Sequence, residues 1–523
     1  MATSYVNPEI ESVGGAGTPT DPFKLWSEVT WAVGNTYKQM RETVGNATIT
    51  PDVAGTLGNE ITIAAFANAD GSDNSLLAKP VIDLEFGGNY GIDLNAMPHF
   101  RVNDFRAINC NLHGFFIQNP IIDSNIELTD LDSDDNIVTG YHLVNNPSTI
   151  ASGIIYRRCN SNRSGQHGFH AIGSLGDNTI VAVRYYNCNA DGSGHLGVDT
   201  ATGGHGFSGW NATKLATSGW SGAGPVYSRD TAVVDDPTFV RCFRVYDQVA
   251  QVYYTENTGT PTTPAVGEWG YSGTTLYVNP GADPSTLNIE YVPKVVHFER
   301  YFCRATGTKT IPDGSEGVGF AYDDSSIGKN VGCIALRNEG LGFSLNKTQF
   351  VKDYSCISVG NHLDHTTPNE IQTNVFAGQD GWVEHYNCLI DNKGGEKCLW
   401  IPWYTDNFDV KNSILMNSDD GIPASAVGGG AHTADTNLFS AVTTNTSGAS
   451  LTSTNETEGD PVFVDAANDD YHLQQTSPGV GTGVKYWGNG PRPIDADGQP
   501  YPDTRPDQGP YQSMWDVGHP ENL

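Results

Sequence analysis

His167, His170, His195 and His205 fall within one short stretch of the chain, with Asp199 among them. Imidazole exchanges protons near neutral pH and ligates cations, so such a group suits general acid–base work or a cation site. The competing reading is that SGQHGF and GGHGF are turns whose histidines only cover an edge. No tight ligand pair with zinc spacing is present. Carboxylates form a second set: Asp199, Asp323, Asp324 and Asp364. Two of them about 5–9 Å apart would suit glycoside hydrolysis. Alternatively Asp323 and Asp324 would hold Ca²⁺, which screens a substrate carboxylate. Elimination also needs a base, and Lys347 and His170 are the candidates. Solvated turn carboxylates are the plain alternative. LTDLDSDDN (128–136) alternates aspartates, but loop positions six and twelve are Asp135 and Tyr141, so it is not an EF-hand. Flat rings that could stack on sugar faces are Trp210, Trp400, Trp403 and Tyr404, with burial in the core as the competing role.

What would position these residues is a repeat. Cys159, Cys188 and Cys333 are each followed nine residues later by Gly (Gly168, Gly197, Gly342) and then by Phe169, Val198 and Phe343. Cys110, Cys242, Cys303, Cys356 and Cys388 open similar, less regular units. Spacings of 29, 30, 23 and 32 residues signal stacked repeats, and without helical periodicity each unit is a coil of short strands. The cysteines then read as an internal column of small apolar side chains. An odd count of nine argues for thiols over a disulfide framework. Asn162, Asn338, Asn361 and Asn392 would stack at the turns. If Phe169, Val198, Phe320, Phe343 and Leu363 point inward, alternation turns His170, Asp199, Ala321, Ser344 and Asp364 outward as one column.

The chain has 523 residues, 60 of them Gly, and a net charge of −32. That charge disfavours nucleic acid and anionic membranes. No 18-residue apolar run is present to span a membrane. The first residues, MATSYVNPEIES, lack a basic and an apolar leader region, which fits a mature form or release inside a virus particle. The best helix candidate is Pro22 to Ala32, PFKLWSEVTWA.

The opening segment TSYVNPEIESVGGAGTPTDPFKLWSEV (3–29), the repeat CIALRNEGLGFSLN (333–346) and the closing DPVFVDAANDDYHLQQTSPGVGTG (460–483) resemble the pectate-lyase-like right-handed parallel β-helix superfamily. The resemblance implies an all-β right-handed parallel β-helix with an N-terminal capping helix and a β-hairpin insertion. The expected layout is an opening strand and cap over 1–33, coils over 34–247, the insertion over 248–292, coils over 293–485 and a tail over 486–523. The implied activity is gripping a polysaccharide, with cutting it as a further expectation. The leading expectation is a phage virion tailspike or fibre that binds a host-surface polysaccharide and depolymerises it. The alternatives are a secreted polysaccharide lyase or glycoside hydrolase, and a non-catalytic adhesive β-helix. Site residues would be His170, Asp199, Asp323, Asp364 and Lys347 for catalysis. His167, His195, His205, Trp210, Trp400, Trp403 and Tyr404 would bind substrate, and Ca²⁺ is the expected cofactor. Virion proteins and a homotrimer are the expected protein partners, in a virion or extracellular setting.

Overall fold

The computed structural model describes all residues except 1, 12, 69, 96, 121–123, 146–149, 174–179, 195–203, 212–213, 217–220, 222–225, 231–243, 248–251, 254, 257–259, 261, 273–274, 282–288, 293–295, 310–316, 324–325, 347–349, 362–372, 377–381, 401–406, 424–431, 449–450, 489–490 and 513–523. Short strands of the same phase in successive repeats pair in parallel, so the chain coils into a solenoid with three strand ladders, A, B and C. Ladder A is a 14-stranded parallel sheet running from Thr3–Val6 to Leu451–Thr454. Ladders B and C merge into one 21-stranded sheet through the long strand Leu389–Trp400. The architecture is a parallel β-helix.

The turn from ladder A to ladder B takes two residues. The first is left-handed in every coil from Asp104 to Thr436, with φ between +49° and +65° at Asp104, Asp130, Arg158, Asn187, Phe302, Gly332, Ser355, Asn387, Asn412 and Thr436. The second points into the core and carries the cysteine column: Cys159, Cys188, Cys303, Cys333, Cys356 and Cys388. The Asn189 amide donates to the Cys159 carbonyl, and Arg304, Ile334, Ile357, Leu389 and Ile414 repeat that bond to each following cysteine. All eight described cysteines are buried and free. Cys110 departs from the expected column. It sits at the turn from ladder B to ladder C, where its amide donates to the Asn136 side chain at 3.0 Å. Asn338 and Asn361 occupy that same turn and bond to each other at 2.9 Å, whereas Asn162 donates to Asp134 and Asn392 to the Lys397 carbonyl.

Ladder C explains the recurring Gly-aromatic pair. Phe115, Tyr141, Phe169, Phe207, Phe320 and Phe343 stack through the core with ring centroids 4.5–5.0 Å apart. The preceding glycine faces ladder B so closely that a Cβ at Gly206 would lie 2.7 Å from both the Ala305 Cβ and the Gly319 carbonyl oxygen. Ladder A contributes an unusual inward column, Arg300, Asn330, Asp353 and His385, all buried. Asn330 donates to Asp353 at 2.6 Å, and His385 Nδ1 lies 3.0 Å from the other Asp353 oxygen.

The expected capping helix is not formed. Among the described residues the longest helical pieces are three-residue 3₁₀ turns, Trp26–Glu28 and Ala466–Asn468. The Glu28 carboxylate accepts the backbone amides of Gly14, Lys24 and Leu25, which bends the segment into a loop. The end is closed by flat rings instead: Trp26 and Trp31 are buried and stack at 5.9 Å and 8°.

Between ladder C strand Phe207–Asn211 and ladder A strand Val296–Tyr301, the chain leaves the parallel pairing. Tyr227–Asp230 and Glu268–Ser272 flank Thr275–Asn279 antiparallel, and Ile289–Val292 pairs antiparallel with Lys214–Ala216 and Arg244–Asp247. This pairing begins upstream of residue 248. After the last coil the chain folds back. Tyr471, Leu473 and Tyr511 cover the apolar outer face of ladder B at Leu336, Ile357, Val359, Leu389, Ile414 and Leu438.

Candidate functional site

The histidine cluster is a ring stack on the outer side of ladder C. His142 pairs with His170 in register, and Thr139 with His167. The rings run His113–His142 at 4.1 Å, His142–His170 at 5.0 Å, His170–His167 at 4.3 Å and His167–His205 at 5.2 Å. His167 Nδ1 accepts the His205 amide and His205 Nδ1 accepts the Val318 amide. Burial lowers the basicity of all five, to about 3 at His142 and about 4 at His205. They are neutral rings at physiological pH, packed on one another. His113 and His142, absent from the sequence-based set, belong to this stack.

The outward column differs from the spacing rule. His170 is followed by Ser208, Ala321, Ser344 and Phe376, so Ser208 and Phe376 stand where Asp199 and Asp364 were expected. His195, Asp199, Asp324, Lys347, Asp364, Trp403 and Tyr404 lie outside the described residues. Asp323 and Trp400 end ladder C strands and Trp210 lies within one, and only their backbones are described. Among the described residues no three His, Cys, Asp or Glu side chains gather as a metal site. Asp130, Asp132 and Asp134 are spent on ion pairs with Arg158, Lys79 and Arg106.

The ladder A face builds a different site. Its two outward columns read Arg184, Glu299, Lys329, Lys352, Glu384, Asp409 and Tyr186, Tyr301, Val331, Tyr354, Tyr386, Lys411. The tail crosses above them, leaving a cleft of about 540 Å³ floored by Tyr301, Lys329, Lys352, Tyr354, Glu384 and Tyr386 and walled by Tyr486, Trp487 and Arg492. Tyr486 lies parallel to Tyr354 at 6.3 Å and tilted over Tyr386 at 4.3 Å. Trp487 meets Tyr486 edge-on at 5.0 Å. The Tyr486 hydroxyl and the Trp487 Nε1 are buried and have no hydrogen-bond partner among the described residues.

Among the described residues, the charges of these two columns are paired with one exception. Arg184 bonds Glu299 at 2.7 Å, Lys352 bonds Glu384 at 2.9 Å and Lys411 bonds Asp409 at 2.6 Å. Lys329 has no carboxylate partner among the described residues and lies 5.5 Å from the Tyr301 ring centre. The Tyr354 hydroxyl donates to Glu384 at 3.3 Å, and the Tyr386 hydroxyl to Asp409 at 2.5 Å. Burial, then the neighbouring carboxylates, hold Tyr354 and Tyr386 well above the usual phenol range; burial, then Glu299, pushes Tyr301 up to about 12. These phenols stay protonated and donate hydrogen bonds. Glu384 is the one carboxylate lining the cleft among the described residues.

No protein-family model and no curated protein matches the chain. Solved structures it is similar to include pectate lyase Pel9A, at 10% identity over 98% of this chain and 96% of that one, with a TM-score of 0.35. A rhamnogalacturonan lyase matches at 12% identity over 98% and 97%, TM-score 0.35. The GH136 lacto-N-biosidase from Eubacterium ramulus matches at 10% over 87% and 68%, TM-score 0.35. At such scores the strand pairing described above, and not these likenesses, defines the fold.

Proposed function

We propose that the chain binds an acidic polysaccharide in the ladder A cleft and cleaves it by β-elimination. The observation that carries this reading is the unpaired Lys329 ammonium in a cleft walled by tyrosines and a tryptophan. Aromatic rings stack on sugar faces, and a lone cation on a chain of net charge −32 selects an anionic group. Coils recur at about 4.8 Å, so successive rungs lie along a polymer. Lys329 would neutralise the uronate carboxylate, Glu384 would take the proton α to it, and a phenol or water would protonate the departing glycosidic oxygen. Hydrolysis calls for two carboxylates across the scissile bond, and the cleft offers Glu384 alone among its described residues.

Ca²⁺ held by Asp323 and Asp324 remains part of the proposal as a separate cation site at the end of a ladder C strand, tested by chelation. Among the described residues no helix is long and apolar enough to cross a membrane. An extracellular setting suits a polymer substrate, and nothing in the described residues favours a virion role.

The test is incubation with a panel of uronate polymers, following ultraviolet absorbance of the unsaturated product. Glu384→Gln is expected to abolish the rise while retaining binding. Saturated products with new reducing ends would replace elimination by hydrolysis, and no retention on any acidic polysaccharide would remove the reading.

A further inference from the structure

The two ends of the solenoid differ. At the first coil, Trp26 and Trp31 close the core. At the last, the described residues turn aside along ladder B and place no cap over the coil. Strand Leu438–Ser447 pairs along nearly its whole length with Ile414–Pro423 of the coil before. On its other side, among the described residues, only Leu438 and Phe439 have partners, in Thr457 and Glu458. The edge from Ala441 to Ser447 has no strand beyond it among the described residues, and Leu451–Thr454 pairs only with His432–Asp435. The hairpin Phe463–Asp465 with Asp470–Leu473 and the tail then pack on the side of ladder B, away from this edge.

We infer that this open end is a self-association face, where two copies of the chain pair their Leu438–Ser447 strands edge to edge about a two-fold axis. A free strand edge is a template for another strand, and proteins that avoid pairing blunt such edges with charge or proline. Residues 438–455 contain neither, although the chain as a whole carries −32. Glu458 is bonded by Asn445, and Glu456 by Asn437 and Ser453, while Asp420 lies one coil back, in register with Thr444. Two strongly acidic chains repel, so an uncharged strand is where they meet at least cost. Val442, Thr443, Thr444 and Thr446 are β-branched and suit a ladder. A two-fold between these ends sets the strands antiparallel, and the closed opposite end stops growth at two copies.

Analytical ultracentrifugation of the full chain across protein concentration and salt tests this. A dimer is expected, tighter at high salt because screening weakens the like-charge repulsion. Thr443→Asp with Thr444→Asp is expected to weaken the dimer by an order of magnitude or more, with unchanged circular dichroism, while Leu57→Asp at the other end leaves it intact. Should the double variant not fold, Thr444→Cys supplies the second test, because oxidation is expected to link two chains through that position. A monomer at every concentration, a dimer indifferent to Thr443 and Thr444, or no cross-link would overturn the inference.

Discussion

Lys329 and Lys352 are adjacent rungs of one outward column, yet only Lys352 is neutralised, by Glu384 2.9 Å away. Removing Lys329 therefore takes away an available charge, whereas removing Lys352 frees a carboxylate. Lys329→Met is expected to weaken retention of an acidic polysaccharide about tenfold, roughly 1.4 kcal/mol, with no change in melting temperature. Lys352→Met is expected to weaken it more, by exposing the ligand to unpaired Glu384. Affinity electrophoresis in uronate-containing gels reads both.

The tail contributes polar atoms that a ligand would satisfy. Tyr486→Phe is expected to reduce affinity by about 0.5–1.5 kcal/mol, the usual net worth of a hydrogen bond, and to leave stability unchanged because the hydroxyl has no protein partner among the described residues. Trp487→Ala is expected to cost more, since it removes a wall of the cleft. Equal affinity of Tyr486→Phe and the parent chain would place the ligand elsewhere.

The histidine stack makes the fold acid-sensitive. Unfolded imidazoles titrate near 6.5, while His142 and His205 in the fold are held at about 3 and about 4 by burial. The folded values are depressed, so the unfolded chain binds protons first. The contribution of the stack is complete above about 6.5 and declines as pH falls towards the folded values. Melting temperature is expected to fall steadily below that point. His142→Phe, which continues the ring of Phe116, is expected to flatten the slope.

Close packing between ladders B and C predicts a sharp glycine requirement. Gly206→Ala is expected to destabilise by about 1–3 kcal/mol or more, as overpacking does, because the atoms 2.7 Å from its Cβ belong to Ala305 and the Gly319 backbone. Gly45→Ala, whose Cβ meets nothing nearer than 3.5 Å, is expected to be near neutral. Thermal melts of the two compare them directly.

The coiled architecture was legible because its turns impose residue types. A left-handed residue followed by a small buried one recurs as Asn187–Cys188, Ser355–Cys356 and Asn387–Cys388. Register was less legible. Counting nine residues from Cys188 reaches Val198, but the chain spends extra residues between Ser193 and His205 before Phe207 takes the stacking place. The Gly-aromatic pair, not the count, sets the phase. The 22–32 segment has helical apolar spacing, yet Glu28 is drawn to three backbone amides and the tryptophans lie flat across the coil end. The cleft did leave a trace in the sequence: tyrosine precedes cysteine by two positions at Tyr186, Tyr301, Tyr354 and Tyr386. A fixed place before a corner means a shared face. Tyr486 and Trp487 gave no such sign, because only the returning tail brings them there.

That returning tail changes how the solenoid comes apart. Stacked repeats ordinarily fray one at a time from a free end. Here Ser355 donates to the Ile494 carbonyl, Asn387 to Asp507, Asn412 to Val484, and Gln508 reaches the Thr436 carbonyl. Four successive corners are stitched to the returning tail between residues 484 and 508. The late coils are thereby cross-braced, and peeling any one of them demands that the brace be torn from its neighbours as well.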